Sequence, residues 1–450
     1  MGSIQQPTRY PAEHVDPSPL SKPLKFHFSG RSAPNRFLKG AMSERLASWH
    51  PTNLEARGIP SQNLVNLYRH WGEGETGLLL SGNIMIEYDH LESPGNMIIP
   101  RDAPFSGPRF DSFKAVAQAG KSHGSLMIGQ VSHPGRQVTD NVQKNPISAS
   151  DIQLLKGFPG MSYAKPHAAT QEEINNVVDG FAHAAEFLQK AGFDGIELHG
   201  AHGYLLSQFL SQTTNLRKDA YGGSLENRTR IIVEIAAEIH KRVPKDFILS
   251  IKLNSVEFQD KGLTTEEAKA VGSILNQHGF DFIELSGGTY ESFGFKHVKE
   301  STVAREAFFI EFAELIAPAL DNTKSYLTGG FHTTPAMLSA LKTVDGIGLG
   351  RPLCQEPDLS AKLLSGAVNA SIHPVEPLAS DMMYGTPLGG AQIREISEDL
   401  MPLDVSVPAN AAAFIEDLKK SIEVKAKDKE GVIYKFPKMS IEETSYPVSL

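Results

Sequence analysis

Residues 171–199, QEEINNVVDGFAHAAEFLQKAGFDGIELH, hold the unit from which most of the chain is built. Thr170 precedes the segment and Glu173 stands three residues on, a capping box that satisfies backbone N–H groups at a helix start. Apolar residues then recur at helical spacing to Ala191. A short continuous apolar run follows, Gly195–His199, ending on a histidine. Continuous rather than alternating apolar character marks a parallel strand covered on both faces. Similar runs occur at Phe37–Ala41, Gly77–Ser81, Ser125–Gln130, Phe247–Leu253, Asp281–Ser286, Ser325–Thr328 and Gly346–Leu349. Helical patterns at Leu225–Val243, Thr265–Gln277 and Glu306–Leu320 fall between them, the first stopping before Pro244.

Eight strands alternating with helices predict an α/β chain, either a parallel (β/α)8 TIM barrel or a long doubly wound sheet. Two features favour the barrel. Glycine or polar residues end nearly every strand, on the face where barrel active sites are built. No GxGxxG follows any strand, so a dinucleotide-binding sheet has no support. The expected organisation is an N-terminal arm over residues 1–30 with five prolines, a barrel over 31–370, and a C-terminal extension over 371–450. One helix is expected in that extension, Ala409–Lys425, which reads as part of a wrap or an oligomer contact.

Composition narrows the class further. The 450 residues carry 43 basic and 52 acidic side chains, a net charge of −9, without a long basic run. Nucleic acid and anionic membrane surfaces are poor partners for such a chain. One cysteine, Cys354, excludes a disulfide framework and a cysteine-held iron–sulfur cluster. No apolar run is long enough to span a bilayer, and the first residues lack a leader-type apolar stretch. A soluble, cytoplasmic protein is expected.

The strand ends carry the chemistry. Ala41, Met42 and Ser43 follow strand one, Gly82 and Asn83 strand two, and Gln130 ends strand three. His199, His202 and Tyr204 follow strand four, Lys252 lies in strand five, and Gly287-Gly288 close strand six. Gly329-Gly330 and Gly350-Arg351 close strands seven and eight, a phosphate cradle of backbone N–H groups plus one guanidinium, with a helix opening at Pro352. Gln130 offers a donor and an acceptor to a ring edge. A cation at Lys252 is costly inside a strand unless it meets negative charge; a bland alternative is a lysine snorkelling from the strand end. His199 and His202 can donate two hydrogen bonds to one oxyanion, with Tyr204 as general acid. As metal ligands they would need Glu197 or His133 as a third, and no HExxH accompanies them.

Residues 198–228, LHGAHGYLLSQFLSQTTNLRKDAYGGSLENR, resemble the signature of the Old Yellow Enzyme family of FMN-dependent oxidoreductases. The resemblance runs from NRFLKGAM at Asn35 through HPGRQ at His133–Gln137 to LGRPL at Leu349–Leu353. AMSERL and NLEARGIPS make it closest to the fungal NADH:flavin oxidoreductase / NADH oxidase-like group. It implies that Ala41, Met42, Ser43, Asn83 and Gln130 line the flavin ring, with Lys252 near N1 and O2. Gly329, Gly330, Gly350 and Arg351 would hold the FMN phosphate. His199 and His202 would bind a substrate carbonyl oxygen, and Tyr204 would protonate the carbon alpha to it. NADH or NADPH would reduce the flavin, which then reduces an activated alkene. The sequence departs from the family at three places: Ser43 where cysteine or threonine is common, Arg45 where a substrate-contacting tyrosine often lies, and Lys252 where arginine is usual.

An ene-reductase is therefore expected. An NAD(P)H oxidase or quinone reductase, and a dedicated enone reductase of a specialised pathway, use the same site. A metal-dependent barrel hydrolase and a non-catalytic flavin carrier are the alternatives from other classes.

Overall fold

The computed structural model describes residues 6–157, 160–257, 259–287, 289, 291, 306, 309–441 and 445–446. Gly288 lies outside them. Eight parallel strands close into a ring: β1 Phe37–Lys39, β2 Leu78–Leu80, β3 Leu126–Ser132, β4 Gly195–Gly200, β5 Ile248–Asn254, β6 Phe282–Ser286, β7 Lys324–Thr328 and β8 Gly346–Leu349. Each strand pairs with the next, and β8 pairs with β1, so the barrel has no open edge. All eight strands stand where the apolar runs place them.

Side chains alternate along each strand, so one set fills the ring and the other meets the helices. The lower interior layer is apolar, built from Leu38, Leu78, Leu80, Ile128, Ile248, Phe282 and Tyr326. It is closed from below by Leu24, Phe26 and Ala33 of a small hairpin, Leu24–Lys25 paired with Ser32–Ala33, within and just after the expected arm. The next layer up is polar: Gln130, Glu197, Lys252, Glu284 and Thr328. This change of character sets the floor of the site.

The capping box at Thr170 is present: Glu173 N–H donates to Thr170 Oγ1 at 3.2 Å, and Thr170 N–H donates to Glu173 Oε2 at 2.8 Å. The helix it opens spans Gln171–Lys190, and Leu225–Arg242 and Thr265–Gln277 also match their patterns. The expected helix Glu306–Leu320 is shorter. It begins at Ile310, because Glu306 has a left-handed φ of 52° and its carboxylate accepts from the Thr333 backbone N–H at 2.8 Å. Residues 307 and 308 are not among those described.

Beyond the barrel, the helix Pro408–Lys427 includes the anticipated Ala409–Lys425. A second helix, Met382–Ser397, was not anticipated, because Gly385, Pro387, Gly389 and Gly390 lower its helix propensity. Its glycines serve close packing: a Cβ at Gly385 would strike Arg351 Nη1, and one at Gly390 would strike the Phe436 ring. The extension wraps its own chain. Trp49 Nε1–H donates to Gly431 O at 2.7 Å, Tyr434 O–H to Ala47 O at 3.0 Å, and Arg45 lies 4.7 Å over the Phe436 ring. The N-terminal arm is tied down by Arg9, whose guanidinium forks onto Glu356 at 2.6 and 2.7 Å. Among the described residues no helix is long and apolar enough to cross a membrane.

Candidate active site

At the C-terminal end of β4 the chain turns sharply. His202 takes a left-handed φ of 58°, and Gly203 follows at 77°. That turn brings His202 back over the strand, with its Nδ1 3.2 Å from His199 Nε2. The outer ring atoms are held by serines: Ser132 Oγ lies 3.3 Å from His199 Nδ1, and Ser286 Oγ 2.9 Å from His202 Nε2. Serine hydroxyls rotate and can donate to both outer nitrogens. The 3.2 Å contact between the inner nitrogens is itself a hydrogen bond, so in two neutral rings one of His199 Nε2 and His202 Nδ1 donates and the other accepts. Burial, reinforced by His202 and Lys252, holds the His199 pKa well below the usual imidazole range. Burial and then Lys252 push His202 down to about 3. Both imidazoles are therefore neutral at physiological pH.

Tyr204 is buried and begins the short helix Leu205–Leu210; its ring packs on His199 with centroids 4.3 Å apart. Sequence reasoning found these three residues but not the serines at the outer nitrogens of the histidines. A serine at a strand end is too common to signal such a role.

Strand register assembles the polar floor. His199, Lys252 and Glu284 are successive partners across β4, β5 and β6, and Glu197 pairs with Gln130 across β4 and β3. Lys252 Nζ donates to Glu284 Oε1 at 2.6 Å, so the lysine meets a buried carboxylate and does not snorkel outward. Gln130 Nε2–H donates to Glu197 Oε1 at 2.7 Å, which commits one of the two N–H donors of that amide within the protein.

On the β1 side, Ser43 O–H donates to Glu92 Oε2 at 2.9 Å, and Asn83 Nδ2–H lies 3.4 Å from Ser43 Oγ. Arg45 has a left-handed φ of 55°, stands 3.5 Å from Glu92, and keeps a buried Nε without a hydrogen-bond partner among the described residues. Met42 packs on the core and receives Cys354 Sγ–H at 3.4 Å. Glu92 and Phe436, which hold Ser43 and Arg45, had no motif to announce them.

Past the end of β7, Gly329 and Gly330 have φ of 128° and 89°, a backbone only glycine adopts readily. Arg351 borders a cleft shared with Tyr10, His332, Gly385 and Gln392. The helix after it, Pro352–Gln355, is a single turn and adds little dipole. No carboxylate pairs with Arg351 among the described residues, and burial lowers its pKa. A largely buried guanidinium without an acid calls for an anion. Arg351 thus has the chemistry to receive an anion such as a phosphate.

One group elsewhere has the donor atoms of a metal site: Glu87, His90 and His133. His133 Nδ1 accepts the Gly135 N–H at 3.0 Å, so a neutral ring carries its proton on Nε2, which points at Glu87 from 3.5 Å. Burial opposes the charge on His90, but hydrogen bonds to Asp89 and Glu87 raise its pKa to about 9. The trio works as an ion pair with a neutral neighbour. His133 is thereby turned away from the role of third ligand to His199 and His202.

Residues 19–369 match the NADH:flavin oxidoreductase / NADH oxidase family. The chain belongs to that family. It is similar to the NADH-dependent flavin oxidoreductase nadA of Aspergillus parasiticus, 48% identical over 432 residues that cover 95% of this chain and 96% of that one. It also resembles the NADH-dependent flavin oxidoreductase iccE of Talaromyces variabilis, 36% identical over 73% of this chain and 82% of the relative. In fold it is like the Old Yellow Enzyme homologue of Zymomonas mobilis, with a TM-score of 0.63 at 21% identity, covering 82% of this chain and 98% of the other. As a member of this family the protein is a flavin oxidoreductase, with FMN as cofactor and NAD(P)H as reductant. The hydrolase alternative falls with that assignment.

Proposed function

We propose that this flavin oxidoreductase is an ene-reductase that saturates the activated double bond of a small α,β-unsaturated carbonyl compound. The observation that carries this is the pair of neutral imidazoles brought within 3.2 Å of each other at the end of β4, with Tyr204 packed against the first of them. Bound FMN supplies the hydride chemistry, accepting from a nicotinamide and delivering to an electron-poor carbon. His199 and His202 bind the carbonyl oxygen and stabilise the negative charge that grows there as the β-carbon is attacked. Tyr204 gives its phenolic proton to the carbon alpha to that carbonyl. Lys252 would hold the N1 and O2 edge of the ring, Gln130 and Asn83 its polar rim, and Ala41, Met42 and Ser43 its remaining border. Gly329, Gly330, Gly350 and Arg351 would receive the phosphate. Arg45 meets the substrate. The naming of both relatives favours NADH over NADPH.

A quinone or oxygen acceptor is the second reading, favoured by the oxidase half of the family's description. One reduced anaerobic preparation, offered an enone, a quinone and oxygen in parallel, tests the choice. Fastest reoxidation by the enone is expected; a reduced flavin that ignores every enone while quinone or oxygen reacts promptly removes the ene-reductase reading.

The phosphate rim has its own test. Arg351→Ala should weaken FMN binding by ~1.5–3 kcal/mol, the typical contribution of a charge-assisted contact. Gly385→Leu should do the same from the extension, because a side chain there displaces the Arg351 guanidinium. Flavin retention after dialysis reads both. Full retention in both variants places the phosphate elsewhere.

A further inference from the structure

Two carboxyls of the polar floor have no ordinary partner for one oxygen each. Glu197 and Glu284 are both fully buried. Glu197 Oε1 takes the Gln130 amide, while Glu284 Oε1 takes Lys252 at 2.6 Å and Thr328 O–H at 2.5 Å. Glu197 Oε2 and Glu284 Oε2 are also buried, and neither receives a hydrogen bond from an N–H or a hydroxyl among the described residues. The two stand on the strands either side of β5, whose Lys252 pairs in register with Glu284 and with His199, two residues beyond Glu197. A proton on one carboxyl turns its orphaned oxygen into a donor that the other's orphaned oxygen can accept. A second negative charge here would have Lys252 as its one ion-pair partner among the described residues, since the buried Lys39 of β1 acts more strongly on Glu44 than on Glu284.

We propose that Glu197 and Glu284 share one proton, so that together they present a single negative charge to Lys252 and so position the charge beneath the flavin ring. Burial, and then repulsion from Glu284, holds Glu197 well above the ordinary carboxylate range, in keeping with the proton resting mainly on that residue. Lys252 and Glu284 then form a balanced pair, with His199, the next ionisable group along β4, neutral as well. Neither glutamate is assigned contact with substrate; both are positioning residues acting through Lys252. The effect on the flavin rests on the placement of Lys252 given under the proposed function.

A shared proton has a signature that two separate charges lack. If either glutamate is replaced by glutamine, the other loses its repulsive partner and takes the whole charge beside Lys252. Glu197→Gln and Glu284→Gln should therefore each shift the redox equilibrium of the bound flavin by only about threefold or less, while the double variant shifts it much further. Removing both leaves Lys252 unbalanced, which favours reduced flavin by about tenfold or more, ~30 mV upward for a two-electron couple.

Infrared spectra of the holoenzyme in H2O and D2O read the proton directly. A protonated carboxyl band that shifts in D2O is expected in the parent protein, and it should vanish in each single variant because the remaining glutamate ionises. The infrared comparison needs only the single variants, so it decides the matter even where the double variant does not accumulate. Large and additive potential shifts in the single variants, or a carboxyl band that survives in both, overturn the shared proton. A band that behaves as expected beside an unmoved potential in the double variant overturns the link to the flavin. The choice among enone, quinone and oxygen is read separately in the oxidant panel.

Discussion

The Tyr204→Phe enzyme should reduce its flavin with NAD(P)H at nearly the parent rate, yet pass the hydride to cyclohexenone about 10²–10⁴-fold more slowly. The substitution keeps the ring that packs 4.3 Å from His199 and removes only the hydroxyl. Taking a hydride from the nicotinamide needs no proton from Tyr204. Saturating the alkene does, because addition at the β-carbon leaves charge that must be quenched at the carbon alpha to the carbonyl. A quinone collects its protons on oxygens that can face water, so it should suffer far less. Anaerobic stopped-flow measurement of the two half-reactions separates these cases. Equal slowing of both would make Tyr204 a positioning residue, and no slowing of either would place the proton donor elsewhere.

Replacing both His199 and His202 with alanine should abolish phenolate binding to the oxidised enzyme while FMN stays bound. In the parent protein, a phenol of low pKa should lose its proton on binding and give a long-wavelength charge-transfer band over the flavin. The anion would be held by N–H groups of two imidazoles kept neutral by burial and by the positive charge of Lys252. Two lost charge-assisted bonds, each worth roughly 1.5–3 kcal/mol, correspond to about 10²–10⁴ in affinity. A band of undiminished strength in the double variant would mean that the anion sits on other donors.

Much of the site was legible because barrel strands deliver their chemistry at one end. Once GIELH at Gly195–His199 reads as a strand, His199, His202 and Tyr204 fall on the catalytic face by counting alone. Gly329-Gly330 and Gly350-Arg351 are placed in the same way. What could not be read is whatever depends on the neighbour across a register. Glu284 looks like Glu197, one acid in an apolar run, and nothing in either run says that they meet. Gln130 reads as a free amide, yet one of its two N–H donors is taken by Glu197 at 2.7 Å. The helix Met382–Ser397 was missed for a related reason. Its glycines argue against a helix locally, and their purpose, room for Arg351 and Phe436, exists only when distant segments are packed together.

The chain's own order of apolar runs, capping boxes and strand-end residues was enough to establish the barrel, its catalytic face and the histidine–tyrosine constellation, because each is set by local periodicity and by position along a strand. Tertiary structure decided the charge state of the site. Whether Lys252 is balanced, which nitrogen of each histidine faces inward, and how Arg45 and Arg351 meet an extension some 390 and 30 residues away in sequence all depend on contacts between remote segments. Burial costs and hydrogen-bond partners are properties of the packed interior, and no single segment carries them.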